Sequence, residues 1–596
     1  MFLPTTRKEM DRLGWNRPDI IIVTGDSYID SPYIGAAVIG RVLERAGYRV
    51  GIIAQPDVHS DVDIRRLGEP RLFWGVTGGS VDSLIANYTS TKKKRNSDDY
   101  TPGGTNDRRP DRATIVYANL IRQYFKNTKP IVLGGIEASL RRIAHYDFWS
   151  NRVRGSVLFD AKADYLLYGM AEKSVVRFAG ALRDGSDVRN ICGLCYIARE
   201  GDMTEIKGNY LELPSYEIVS QDKSSFISMF HTFYQNNDAL TAQGLYQKHG
   251  PRYLVHNLPE TSLTQEELDA VYALDFERAQ HPYYERQGKV RALETIKFSI
   301  TTHRGCYGEC NFCAIGVHEG RTVQWRSRES IVNEARRLTA YPDFKGYIMD
   351  IGGPTANMYG FECEKKLRQG TCPEKRCLYP EICPSLQVDH SHQIELLREI
   401  GRIKGVKKAF VASGVRHDLV LSDRKYGRQY LQEVVEHHVS GQMKVAPEHT
   451  EAGVLKAMGK PGPESLLQFK GLFDRMTREA GMKQFLTYYL IAAHPGCTAD
   501  DMVRLKRFAS RELKINPEQV QIFVPAPSTY SSVMYYTGTD PFTGKPLFVE
   551  KDPREKEVQK DIVTRKQMPD PPLHGTRQRT SNRATTARTY PPRGRH

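Results

Sequence analysis

Short apolar runs alternate with helical patterns over the first third of the chain. The runs are rich in Val, Ile, Leu and aromatic residues, as is typical of strands buried on both faces, and lie at 20–24, 49–54, 72–76, 131–133 and 165–168. Between them, apolar residues recur at helical spacing, as in Ile34, Val38 and Leu43. This alternation predicts a doubly wound, flavodoxin-like α/β domain over residues 1–200.

Glycines follow several of these runs. They are Gly25, Gly78 with Gly79, Gly134 with Gly135, and Gly169. Because ligands of open α/β sheets bind at the carboxyl ends of the strands, where glycine allows close approach, this pattern predicts a ligand site at that edge.

A second strand–helix series begins near residue 290. Its strand candidates lie at 296–300, 346–351, 409–412, 442–446, 485–492 and 520–524, one helix is predicted to start at Ser327, and another to stop at Gly481. The series predicts a partial (β/α)6 barrel with an extension over 290–565, with its chemistry at the carboxyl ends of the strands. The more polar segment 201–289 is predicted to be connecting and helical material.

Length and charge indicate a multidomain protein with a basic end. With 596 residues the chain is longer than a single hydrophobic core usually stabilises, and its net charge is +15. Residues 566–596 are Arg-rich, so we expect a disordered tail, for which RNA or DNA contact and simple solvation both stay open. Without a long apolar run or a secretory signal near Met1, we expect a cytoplasmic protein with no membrane partner.

The ten cysteines are clustered, and one cluster follows a predicted strand directly. Cys306, Cys310 and Cys313 have the spacing C-x3-C-x2-C, with Phe312 before the last. Three thiolates in one tight loop reach three corners of a cubane iron–sulfur cluster and leave one iron open to another ligand. A zinc site completed by a distant fourth ligand, and buried thiols without a metal, are the alternatives.

This loop resembles the defining motif of the radical S-adenosylmethionine (SAM) superfamily. The resemblance implies a [4Fe-4S] cluster whose open iron is chelated by SAM, reductive cleavage of SAM to a 5′-deoxyadenosyl radical, and a reductant such as flavodoxin or ferredoxin. By position it implies SAM contacts at the ends of later strands, at Gly352, Gly353, Ser413, Arg416 and Glu448. The glycine motif departs from the usual G-G-E-P by lacking its Glu, and no catalytic residue acting on a substrate is identified.

Longer strings make the chain similar to the YgiQ family of radical SAM proteins. They are Tyr100-Thr101-Pro102-Gly103-Gly104, the run from Gly134 to Arg142, and the run from Leu167 to Glu172. The similarity covers about residues 15 to 565 and supplies no reaction. Likeness to methylthiotransferases of the same superfamily implies tRNA or protein modification as a substrate class.

The first domain also resembles cobalamin-binding folds, but it lacks the histidine with which those folds ligate cobalt. Their signature is D-x-H-x-x-G, whereas this chain has Pro32 between Asp30 and Gly35. Because a prolyl ring cannot ligate cobalt, we expect no cobalamin.

A second cysteine group lies in a Pro- and charge-rich insertion. It comprises Cys363, Cys372, Cys377 and Cys383. Four thiols at this spacing predict a second metal site, zinc or iron–sulfur, beside the alternative of free thiols.

Two rival functions remain. One is a nucleic-acid-binding protein whose cysteines hold structural zinc. Its metal content, zinc without iron, would distinguish it from a radical SAM enzyme. The other is a radical SAM fold that has lost turnover and acts as a sensor. The altered Gly352-Gly353-Pro354 motif favours this alternative.

Overall fold

The computed structural model describes residues 1–373 and 376–565. The basic tail at 566–596 lies outside them. Within them the first half of the chain builds one sheet from the strands β1 (Ile20–Thr24), β2 (Val50–Ala54), β3 (Phe73–Thr77), β4 (Ile131–Gly134), β5 (Tyr165–Leu167), β6 (Leu194–Arg199), β7 (Leu211–Leu213), β8 (Leu245–His249) and β9 (Arg252–His256).

The order of this sheet is β7-β8-β9-β6-β5-β4-β3-β1-β2. Strands β2, β1, β3, β4 and β5 run parallel to their neighbours. All five residues of β1 are buried, as its apolar composition predicts for a strand covered on both faces. The mixed α/β class with a large, mainly parallel sheet is confirmed.

The segment 201–289 differs from its prediction, because it contains three strands of this sheet. The hairpin β8–β9 adds to β6, and β7 adds to β8. The apolar pattern of β8 is interrupted by the buried Gln247, whose side chain accepts from the Ala144 N–H at 3.1 Å and donates to the Pro214 carbonyl at 2.9 Å. The first sheet therefore extends to His256 instead of ending near residue 200.

The second half of the chain contains one short antiparallel pair, His303–Arg304 with Gln324–Trp325, and a longer series of parallel strands. They are β10 (Ser299–Thr301), β11 (Tyr347–Ile348), β12 (Asp350–Gly352), β13 (Lys408–Ala409), β14 (Gln442–Glu448), β15 (Phe485–Ala492) and β16 (Gln521–Ile522). Parallel pairs form between β10 and β12, β11 and β13, β14 and β15, and β15 and β16. The strand predicted at 296–300 is displaced, since Ala292–Ile296 is helical.

The α-helices cover both halves. Ser327 caps one of them by accepting from the Ser330 N–H at 3.1 Å, and Gly481, at φ +64°, follows the end of another, so both predicted boundaries are confirmed. The helices are Arg7–Arg12, Gly35–Arg45, Ser83–Asn87, Ala113–Tyr124, Gly135–Ser139, Val157–Asp160, Glu172–Asp184, Met203–Asn209, Tyr216–Gln221, Lys223–Gln235, Gln265–Tyr272, Pro282–Glu285, Ala292–Ile296, Ile315–His318, Arg328–Leu338, Glu364–Gln369, Ser391–Gly401, His417–Ser422, Gly427–Glu433, Ala452–Met458, Glu464–Glu479, Ala499–Phe508, Tyr530–Thr537 and Pro553–Thr564. Over residues 1–373 and 376–565, none has the length and hydrophobicity needed to cross a bilayer.

The two halves share a hydrophobic core. Val317, Phe523 and Tyr530 of the second half pack into the cluster that covers the first sheet. Polar contacts join the same surfaces: the Ser528 hydroxyl donates to the Leu140 carbonyl at 2.8 Å. The sheet edge and the second set of strands are therefore held in a fixed relation, which positions the site described next.

Candidate functional site

The three predicted cluster cysteines lie in one loop beyond the carboxyl end of β10. All three are half-buried, and the loop ends at the helix Ile315–His318. A methyl group built on Gly308 would stand 3.2 Å from the sulfur of Cys306 and 3.6 Å from that of Cys310. Both sulfurs thus lie close to the position that a side chain at residue 308 would occupy, and glycine there leaves them room.

Burial disfavours the thiolate form of two of the loop cysteines, Cys306 and Cys313. Burial raises the pKa of Cys306. Burial also raises the pKa of Cys313, and the nearby Cys310 and Cys306 act in the same direction. Metal binding therefore has to release these protons, which couples occupancy of the loop to pH.

The three loop thiols do not converge on the position of a single metal ion. In the part of the chain that the structure describes, no three His, Cys, Asp or Glu side chains converge on one metal position. In a cubane each thiolate binds a different iron, so its ligands stand further apart than those of one ion. The role of the three thiols as cluster ligands stays a prediction.

Arg416 lies beside the same glycine. One of its terminal nitrogens is 3.5 Å from the methyl position built on Gly308. Its other donors are held by Asp418, which accepts from Arg416 Nε at 2.8 Å, and both side chains are buried. The guanidinium is thereby fixed with one face toward the cysteine sulfurs, where a positive charge offsets that of thiolates.

Gly352, Gly353 and Ser413 come together at the carboxyl ends of β12 and β13. Asp350 organises them: its carboxylate accepts from the N–H groups of Ala412 at 2.8 Å and Ser413 at 3.0 Å, and from the Ser413 hydroxyl. A side chain on Gly353 would meet the His303 ring at 2.6 Å. Close packing against that ring explains the glycine.

Glu448 stands apart from these groups. It ends β14 with φ +67° and accepts from Lys460 Nζ at 3.3 Å. Lys460 lines a small second cavity together with Arg416. The five predicted SAM-contacting residues therefore fall into two neighbouring sets, and their role in SAM binding stays a prediction.

A cavity of about 460 Å³ separates the two halves of the chain. Gly352, Gly353 and Ser413 line one side of it. The other side is lined by glycines of the predicted edge of the first sheet, namely Gly79, Gly134, Gly135 and Gly169. Gly25 of the same edge packs against the Gly78 carbonyl instead. Pro32 also stands in the wall, at the position of the histidine in the cobalamin signature, and the absence of cobalamin stays a prediction.

The second cysteine group lies against the cluster loop. Cys363 is buried in a small apolar cluster with Tyr307, and Cys377 packs on it. The Cys383 N–H donates to the Cys377 carbonyl at 2.8 Å, and burial raises the pKa of Cys377 to about 11. Residues 374 and 375 of this insertion lie outside the described ranges. A metal on these cysteines, with Cys372 as the fourth, stays a prediction.

Several groups of the site escaped the sequence analysis. Asp350 lies two residues before Gly352 in the sequence, but nothing there indicates that its carboxylate holds the Ser413 loop. The buried ion pair between Arg304 and Glu172, which joins the cysteine loop to the first sheet, spans 132 positions and leaves no local signal. His303 precedes the loop in the sequence, yet nothing there indicates that its ring lies against Gly353.

Comparison with known proteins identifies relatives over nearly the whole chain. Residues 2–299 match the family model described as radical SAM N-terminal. A UPF0313 protein of Fusobacterium nucleatum subsp. nucleatum is 56% identical over 95% of this chain and 99% of its own length. UPF0313 proteins of Methanocella arvoryzae and Thermotoga neapolitana are 48% and 47% identical, each over 94% of this chain and over 92% and 98% of their own lengths.

Among solved structures, similarity is more distant. TsrM of Kitasatospora setae, a radical SAM methyltransferase solved with cobalamin and a [4Fe-4S] cluster bound, is 16% identical with a TM-score of 0.47, over 87% of this chain and 74% of its own. OxsB, a cobalamin-dependent SAM radical enzyme, is 12% identical with a TM-score of 0.48, over 89% and 57%.

Proposed function

Because the chain belongs to the UPF0313 family of radical SAM enzymes, we propose that it binds a [4Fe-4S] cluster on Cys306, Cys310 and Cys313 and cleaves SAM reductively. The observation that supports the proposal is the loop at the end of β10, where the sulfurs of Cys306 and Cys310 and the guanidinium of Arg416 converge on Gly308. We take the second half to act as a partial (β/α)6 barrel, and a flavodoxin or ferredoxin to be the electron donor.

The residues around the loop suit this chemistry. When bound, the reduced cluster supplies the electron that breaks the C5′–S bond of SAM, which leaves methionine and a 5′-deoxyadenosyl radical able to take hydrogen from a substrate C–H bond. Arg416, fixed by Asp418, offers its remaining N–H donors to a carboxylate beside the thiols. Gly352 and Gly353 line the cavity without side chains, and Asp350 holds the Ser413 loop beside them.

Asp350→Ala is expected to weaken SAM binding about tenfold or more, because it leaves the Ala412 and Ser413 N–H groups without their acceptor and releases the loop. The measurement is isothermal titration of SAM into anaerobically reconstituted protein, with iron content matched between wild type and variant.

Asp350→Asn is the matched control. Its amide oxygen keeps one acceptor for the loop N–H groups, so its affinity should lie between those of Asp350→Ala and the wild type. Equal SAM affinity in all three proteins would contradict the assignment of this loop to SAM. A wild type that retains its iron and binds no SAM would contradict the proposed function itself.

A further inference from the structure

The cavity between the halves extends beyond Gly352, Gly353 and Ser413, the lining residues assigned to SAM. On the side of the second half its lining includes Thr301, His303, Asp350, Gly352, Gly353 and Pro354. On the side of the first sheet it continues over β3, β4 and the first turns of the helix Gly35–Arg45. A volume of about 460 Å³ lies in the range of pockets that hold small organic molecules.

The sheet side of the cavity is apolar. Few polar side chains line this side. Its wall is formed by the aliphatic and aromatic side chains of Ile22, Val38, Ile39, Leu43, Phe73, Val132, Leu167 and Val175. Gly75 lies in the middle of this wall, where it leaves room that any larger residue would fill. Such a surface favours an apolar ring or chain and disfavours phosphate or sugar.

Three buried polar atoms in the wall have no hydrogen-bond partner. They are Glu172 Oε2, His303 Nε2 and Ser80 Oγ, and all three residues line the cavity. Burial lowers the pKa of His303 to about 4, so its ring is neutral. His303 Nε2 packs against Gly353, whereas the free oxygen of Glu172 belongs to the cavity wall. Since an unpaired buried polar atom costs about 1–3 kcal/mol, this oxygen favours a ligand that donates a hydrogen bond to it.

We propose that this cavity is the substrate site and that the substrate is a small, mostly apolar molecule carrying at least one N–H or O–H group for Glu172. This proposal rests on the proposed function and names its substrate class. A cavity of about 460 Å³, with the buried Arg304–Glu172 pair in its wall, has room for a small molecule and not for a tRNA or a folded protein. The proposal therefore departs from the tRNA or protein substrate that the sequence predicts.

Binding is tested without SAM or reductant, using N-phenyl-1-naphthylamine, an uncharged aromatic amine whose fluorescence rises in apolar sites. Gly75→Leu places a side chain in the apolar end, at an ordinary contact of 3.6 Å from Ile22. Gly471→Leu is the matched control, because that glycine is exposed on the helix Glu464–Glu479 with open space around it. Gly35→Leu, which also meets open space at the cavity wall, serves if Gly75→Leu does not fold.

We expect saturable probe binding to the full-length wild type and to Gly471→Leu, and affinity about tenfold lower in either cavity variant. No saturable binding, or equal affinity in all variants, would overturn the proposal. Displacement of the probe by equimolar hydroxocobalamin would also overturn it, in favour of a corrinoid. These outcomes are independent of SAM cleavage, so failure of the substrate class is distinguishable from failure of the radical chemistry.

Discussion

Cys310→Ala is expected to lose its iron–sulfur cluster, falling from about four iron and four sulfide per chain to background after anaerobic reconstitution. Each thiolate of the loop would bind its own iron, and removal of one leaves a cubane with two protein ligands and an exposed edge. Iron and acid-labile sulfide analysis, together with the visible absorption of the cluster, measures the loss.

Cys192→Ala is the control for the general effect of removing one cysteine from the chain. Cys192 is also half-buried, but it lies in the first half of the chain and is not part of the loop. Its iron content should equal that of the wild type. If Cys310→Ala kept a full complement of iron and sulfide, the ligand assignment would be wrong.

Glu172→Ala is expected to destabilise the protein by about 3–5 kcal/mol, because it leaves the Arg304 guanidinium buried and without its counter-ion. Both side chains are less than a tenth exposed, and Arg304 also packs on the Tyr272 ring and bonds its hydroxyl. The pair joins the helix Glu172–Asp184 to the strand that enters the cysteine loop. Urea unfolding followed by circular dichroism measures the first transition.

The exposed pair Arg328–Glu395 is the matched control, since both of its side chains are more than half exposed. Glu395→Ala should change stability by no more than about 1 kcal/mol. Glu172→Ala combined with Arg304→Met should recover part of the loss, because no unpaired charge is then buried. A Glu172→Ala variant as stable as Glu395→Ala would show that the pair does not hold the halves together.

The sequence was most informative where the chemistry is local. The cysteine spacing, the glycine ends of the strands and the Ser327 cap are set by residues near one another, and apolar runs reveal strands such as β1 that are buried on both faces. The position of the cysteine loop at the end of β10 followed from that pattern.

What the sequence did not reveal depends on distant contacts. The hairpin β8–β9 was missed because the buried Gln247 satisfies its amide through Ala144 and Pro214, which no periodicity records. The cavity arises only when two halves of the chain pack together, and Glu172 and Arg304 meet there across 132 positions. The substrate class inferred from the cavity was therefore beyond the reach of motif analysis.

Formation of 5′-deoxyadenosine tests the central claim most directly. Anaerobically reconstituted protein is mixed with SAM and dithionite, the nucleoside is quantified by chromatography, and Cys306→Ala is treated in the same way. The account predicts 5′-deoxyadenosine from the wild type and none above background from the variant. A wild type that holds iron and sulfide but yields no 5′-deoxyadenosine, or one that binds only zinc at these cysteines, would contradict it.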